Sequence, residues 1–142
     1  MVINKPAGLA VQGDLTGDIH LLDLAERYIA EKYKKPGKAY VGLVHRLDRP
    51  VSGVVIMAKT SKALTRMNEI FRDKKNTKIY HAITTKALPN EEGTLTHHLL
   101  KNSETKRAHA YNSHKPGTKP GVLHYKLLKN FAGRSLYEIT LE

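Results

Sequence analysis

The run His45-Arg46-Leu47-Asp48-Arg49-Pro50-Val51-Ser52-Gly53 concentrates more chemistry than any other stretch of the chain. Asp48 follows one apolar strand-like segment and precedes another, with Arg46 and Arg49 within two residues. Positive charge beside a carboxylate favours its ionised form. Pro50 stiffens the segment, and Ser52-Gly53 allows a tight bend or close approach to a ligand. An ionised carboxylate held amid positive charge suits a nucleophile or an electrostatic stabiliser acting on a polyanion. The same residues would equally serve an Asp that braces a turn by pairing with Arg.

Other chemistries find less support. Eight His without Cys suggest zinc only by count. His97-His98 would point to opposite faces of a strand, and no His-Glu-x-x-His pair occurs, so no metal is expected. Gly13-x-x-x-Gly17 lacks the Lys and Ser/Thr of a phosphate-binding loop. Ser52 does not stand in a Gly-x-Ser-x-Gly elbow. A glycoside or nucleoside hydrolase would want a second carboxylate, and the nearest acids, Glu31 and Glu69, fall on predicted solvent-facing helix surfaces.

The elements that must present Asp48 follow from periodicity. Val2-Ile3 reads as the end of a strand, and Asn4-Lys5-Pro6-Ala7-Gly8 as a turn. Leu21, Leu24, Ala25, Tyr28, Ile29 and Tyr33 recur at helical spacing, with Asp18 as the expected N-cap and Pro36-Gly37 as the stop. Residues 40–44 and 54–58 read as two buried strands flanking the Asp48 segment. Thr60 or Ser61 caps a second helix in which Leu64, Met67, Ile70 and Phe71 share a face. Residues 78–85 alternate, with Ile79, His81 and Ile83 opposite Tyr80, Ala82 and Thr84. Strands are expected at 95–100, 108–112, 122–128 and 136–141, and an exposed loop at 112–121. The class is α+β, with a mixed, largely antiparallel sheet and packed helices. The chain opens and closes within apparent strands, which predicts a truncated domain with exposed strand edges open to self-association.

Composition sets the partner class. The 142 residues hold 24 Lys and Arg against 13 Asp and Glu, a net charge of +11. Hydrophobic residues make up 40%, enough for a core rather than a disordered tail. The absence of Cys excludes disulfide and thiolate sites. No apolar run reaches the roughly 18 residues of a membrane span, and no signal peptide opens the chain, so an intracellular, cytoplasmic protein is expected. The positive charge favours nucleic acid. It falls in local groups at Lys32, Lys34, Lys35 and Lys38; Arg72, Lys74, Lys75 and Lys78; Lys101, Lys106 and Arg107; and Lys115 and Lys119.

His45-Arg46-Leu47-Asp48-x-x-x-Ser52-Gly53 closely resembles the signature of the RluA-type (RluA/RluC/RluD) pseudouridine synthases. Asn4-Lys5-Pro6-Ala7-Gly8 is similar to the family's early Lys-Pro turn, and Lys78-x-Tyr80-x-Ala82 to its tyrosine-bearing strand. Residues 54–60 resemble the strand that follows the signature. The similarity covers essentially the whole chain, 1–142. Val51 departs from the pattern, since most members carry Thr there.

The resemblance implies a cofactor-free isomerisation of uridine to pseudouridine in ribosomal or transfer RNA. It makes Asp48 the essential carboxylate, with attack on the sugar, attack on the base and removal of a sugar proton all open to it. It implies that Arg46 enters the RNA helix and helps keep the target nucleotide out of the stack, and that Tyr80 packs on the uracil. It also implies that a Thr-Gly-Arg-x-His-Gln-x-Arg-like segment, whose first basic residue pairs with the carboxylate, would follow Glu142. The expectation is an active longer parent and a weakly active or inactive 142-residue piece. The rival expectation is a non-catalytic RNA-binding module on the same scaffold.

Overall fold

The computed structural model describes residues 1–13, 17–103, 105 and 107–142. Residues 14–16 of the Gly13–Gly17 segment, and Lys106 of the third basic group, lie outside the described residues. The chain divides into two compact units, Met1–Lys75 and Asn76–Glu142. Among the described strands every pairing is antiparallel, and two helices accompany them, as the α+β class requires.

In the first unit β3 (Gly53–Ala58) is central, between β1 (Val2–Lys5) and β2 (Gly42–Leu43). Val55 and Met57, both β-facing apolar residues, lie on one side of β3 opposite Ile3 and Leu43. Helix α1 (Leu21–Lys32) buries Leu21, Ala25 and Ile29 in the same core, with Val11, Ala39 and Val41 completing it. Leu21, Ala25 and Ile29 are three of the six stripe positions read from the sequence; the other three, Leu24, Tyr28 and Tyr33, are exposed. On the other side, helix α2 (Ser61–Arg72) sets Leu64 over Gly42, where a Cβ would come within 2.9 Å of the Leu64 side chain. None of the α2 residues is fully buried, and Ile70 of its expected apolar face is 37% exposed.

The helix caps show one departure. Thr60 caps α2 as expected, its hydroxyl accepting from Ala63 N at 3.1 Å. Asp18 does not cap α1. The imidazole of His20 does, accepting from Asp23 N at 3.3 Å. Asp18 instead accepts from the Arg49 guanidinium at 2.9 Å.

Both helices end alike. Lys35 N donates to Ala30 O at 2.9 Å and Lys34 N to Glu31 O at 3.1 Å; Lys75 N donates to Ile70 O at 3.0 Å and Lys74 N to Phe71 O at 3.4 Å. These are paired Schellman bonds, and they place Lys34 (φ 49) and Lys74 (φ 51) in the left-handed region. A Cβ there costs about 1–2 kcal/mol, partly offset by the favourable charge at a helix C-terminus. Lys34→Gly and Lys74→Gly are each expected to stabilise the protein by about 0.5–1 kcal/mol, read as a higher urea midpoint at unchanged slope.

The second unit is a five-stranded sheet in the order β4-β8-β7-β5-β6: β4 (Ile79–Thr84), β5 (Glu92–Lys101), β6 (Ala108–Tyr111), β7 (Lys119–Phe131) and β8 (Arg134–Leu141). The strand at 136–141, expected to leave an exposed edge, is interior here; the edges are β4 and β6. Strand β7 is longer than the predicted 122–128, and the 112–121 loop yields its last residues to it. The β7–β8 turn uses Ala132 and Gly133, both at positive φ, the geometry of a two-residue type I′ hairpin. Tyr125 and Tyr137 are buried, their rings 5.7 Å apart and edge to face.

Candidate active site

The Asp48 segment joins β2 to β3. Burial alternates along it: His45 and Leu47 are half-buried, whereas Arg46 and Asp48 are exposed. The two covered residues fasten the segment. Leu47 packs against the core of the first unit. The imidazole of His45 stacks on Phe71 of α2, with centroids 5.0 Å apart, and its Nε2 accepts from Ile56 N of β3 at 3.0 Å. The β2–β3 ladder pairs Gly42 with Ala58 and Leu43 with Met57. Where the backbone of β2 turns away, the His45 side chain takes the next β3 donor. This is why the strand expected over 40–44 is only two residues long.

Since Ile56 N donates, Nε2 must accept, which requires a neutral ring with its proton on Nδ1. His45→Phe keeps a flat ring against Phe71 and removes the acceptor. It is expected to lower stability by about 1–2 kcal/mol, measured by urea unfolding.

After Leu47 the chain closes a turn in which Val51 N donates to Asp48 O at 3.0 Å. The contact uses the backbone of Val51, so the turn needs no side-chain hydroxyl at this position. The turn is also held from outside. Lys5 is completely buried, and its ammonium donates to the carbonyls of Pro6 (3.1 Å), Leu9 (2.8 Å) and Arg49 (3.2 Å). Three donors on an ammonium thus meet three acceptors. Gly8, at φ 88, donates its N–H to the same Arg49 carbonyl at 2.8 Å. The early Lys-Pro-Ala-Gly turn is therefore a clamp on the backbone that carries Asp48. Lys5 pairs with Gly53 in the β1–β3 register, and Gly53 takes φ 140, a conformation that L side chains rarely adopt.

Sequence reasoning gave neither Lys5 nor His45 a role. A signal existed for Lys5: Met1, Ile3 and Lys5 alternate along β1, and the first two pack on the core. No comparable signal marked His45.

Of the three site residues expected, Arg46 and Asp48 are presented outward from this one segment. The Arg49 side chain bonds Asp18 at 2.9 Å. Tyr80 belongs to the second unit. It is half-buried on β4, in a cross-strand row with Ile139 of β8 and Tyr125 of β7. The expected alternation holds: Tyr80, Ala82 and Thr84 are partly covered, while Ile79, His81 and Ile83 are exposed. Glu31 and Glu69 are exposed, as expected of helix surfaces. Among the described residues, no group of three or more His, Asp or Glu is arranged to hold a metal ion. No helix among them is long and apolar enough to cross a membrane.

The clamped turn leaves the carboxylate of Asp48 exposed and, two residues earlier in the chain, the guanidinium of Arg46. The family model for RNA pseudouridylate synthase matches residues 1–142. The chain belongs to that family. Ribosomal large subunit pseudouridine synthase D of Yersinia pestis is 32% identical over 144 residues, covering all of this chain and 42% of that protein. Synthase C of Buchnera aphidicola subsp. Baizongia pistaciae is 29% identical over 140 residues, covering 99% and 42%. An RNA pseudouridine synthase of Zymomonas mobilis, described as uncharacterized, is 35% identical over 136 residues, covering 96% and 59%. The chain thus spans from 42% to 59% of these family members' length. Human RNA pseudouridylate synthase domain containing 4 superposes with a TM-score of 0.78 at 22% identity, over 99% of this chain and 54% of that one. The pseudouridylate synthase fold is shared even at this low identity.

Proposed function

We propose that this chain is part of a pseudouridine synthase catalytic domain, which converts a uridine of structured RNA to pseudouridine in the cytoplasm with Asp48 as the essential carboxylate. The carrying observation is the outward projection of Asp48 from a turn whose backbone is fixed by Lys5 and Gly8. A net charge of +11 supplies the attraction for a polyanion. Relatives named for the large ribosomal subunit make ribosomal RNA the first substrate to test, with transfer RNA second.

The reaction is an internal transfer. The N1–C1′ glycosidic bond breaks, the uracil turns, and C5 bonds to C1′. The proton leaves C5 and N1 regains one, so atoms and oxidation state balance without a cofactor. The bond cannot be reached within a stacked helix, and unstacking the nucleotide costs a few kcal/mol. Arg46, on the same outward side as Asp48, is suited to fill the space the base vacates and to neutralise nearby phosphate. Tyr80 would offer its ring to the extruded uracil. A single carboxylate, rather than the pair a hydrolase uses, suits retention of the base.

Release of tritium from RNA containing 5-tritiated uridine tests the reading. Release, with pseudouridine in the digested product, supports it. RNA binding without release, from this chain and from any longer protein that carries it, would favour the non-catalytic module.

A further inference from the structure

Three of the seven tyrosines lie between residues 28 and 40, and all three are open: Tyr28 is 50% exposed, Tyr33 49% and Tyr40 46%. The Asp48 site uses none of them. The ammonium of Lys59 donates to Tyr33 OH at 2.7 Å and lies 4.4 Å from its ring centroid. Lys32 donates to Tyr28 OH at 3.0 Å and lies 5.3 Å from that ring. Lys34, Lys35 and Lys38 follow, all exposed, and no acid occurs from residue 32 to residue 40. Glu31 is the one acid next to the run.

The Lys59–Tyr33 bond joins the end of α1 to the end of β3. Tyr40 stands apart from this surface, its hydroxyl over Gly42 beside Leu64 of α2. The Lys59 ammonium holds the Tyr33 phenol below its ordinary pKa, and hydrogen bonding to Tyr28 holds Lys32 above its own. Lys32 is thereby held in its cationic form beside the Tyr28 ring.

Phenol planes rimmed by fixed cations match the requirements of an unpaired polynucleotide. Bases stack on the rings whatever their sequence, and phosphates meet the ammonium groups. Duplex RNA offers no free base faces. A membrane would need an apolar face beside the charge, and the apolar face of α1 is buried in the core. Gly53 begins β3 next to the Asp48 turn and Lys59 follows its far end, six steps or about 20 Å away along the strand.

We propose that Tyr28 and Tyr33, with Lys32, Lys35 and Lys59, form a second RNA-contact surface that holds an unpaired segment flanking the target nucleotide. The inference rests on RNA being the substrate of the Asp48 site.

The test is fluorescence anisotropy of the 142-residue chain with unstructured oligouridine RNA and with a duplex of equal length, across a salt series. Tyr28→Leu/Tyr33→Leu is expected to weaken oligouridine binding at least about 10-fold, with the salt slope and duplex binding unchanged. Lys32→Gln/Lys35→Gln/Lys59→Gln is expected to lower the salt slope by about 2, since each phosphate neutralised on a single strand contributes about 0.7. Circular dichroism melts of both variants report folding. Three results would overturn the proposal: unchanged oligouridine affinity in the folded tyrosine variant, equal loss of heparin binding in it, or binding of phosphatidylserine vesicles that both variants lose. Tritium release separates the two readings. If the tyrosine variant keeps its oligouridine affinity while the unmodified protein, in this or a longer chain, releases tritium, the second surface fails and the catalytic site stands. If the parent binds no RNA, both fail.

Discussion

Asp48→Asn is expected to abolish pseudouridine formation, by a factor on the order of 10⁴, while leaving RNA affinity unchanged or slightly tighter. The change removes a negative charge and a nucleophilic oxygen but almost no volume. The side chain is exposed, and the turn bond at this position uses the Asp48 backbone carbonyl, so the fold has little to lose. Surface substitutions of this kind cost about 0.5 kcal/mol or less. Removing an acid from a surface of charge +11 can only favour phosphate. Tritium release and RNA binding, compared with the parent protein, check both halves. A variant that retains activity within about 10-fold would remove Asp48 from the chemistry.

The second large effect is expected from Lys5→Met. Methionine matches the length and the burial of the lysine stem but donates no hydrogen bond. The Arg49 carbonyl keeps Gly8 N, whereas those of Pro6 and Leu9 lose their bond to Lys5. Three charge-assisted bonds vanish, offset in part by relief from burying an ammonium. A net loss of about 3 kcal/mol is expected, which lowers the thermal midpoint by roughly 10 °C for a chain of this size. Catalysis should fall as well, because a displacement of about 1 Å at the Asp48 turn is enough for about a 10²-fold loss. Urea unfolding gives the first number and initial rates the second. A loss below about 1 kcal/mol would mean that the clamp does not support the turn.

Local patterns carried most of the fold. The α1 stripe of Leu21, Ala25 and Ile29, the Thr60 cap, the alternation around Tyr80 and the β-branched run at 54–58 all correspond to elements of the structure. What escaped depends on partners distant in sequence. Asp18 looks like a cap until Arg49, 31 residues on, claims its carboxylate. Lys5 looks like a solvated turn residue until residues 9 and 49 bring their carbonyls to it. The length of β7 is set by its neighbours β5 and β8, which extend the ladder past the alternating core of the strand. The candidate site was legible at Arg46 and Asp48 because an uncommon run of charges interrupts two apolar strands. The devices that hold it were not, because a buried lysine and an imidazole that stands in for a backbone carbonyl have no compositional mark.

That imidazole has a consequence for how the segment can vary. His45 is pinned to Ile56 and Leu47 to the core, so the residues from 45 to 48 work as a ruler that sets how far the carboxylate reaches beyond the sheet. Side chains past the ruler, such as Val51, can be exchanged without moving its tip. Its length cannot: one inserted or deleted residue would swing Asp48 to the covered side and Leu47 or its successor into water. The loop can therefore change its spelling but not its spacing without losing the reach of the carboxylate.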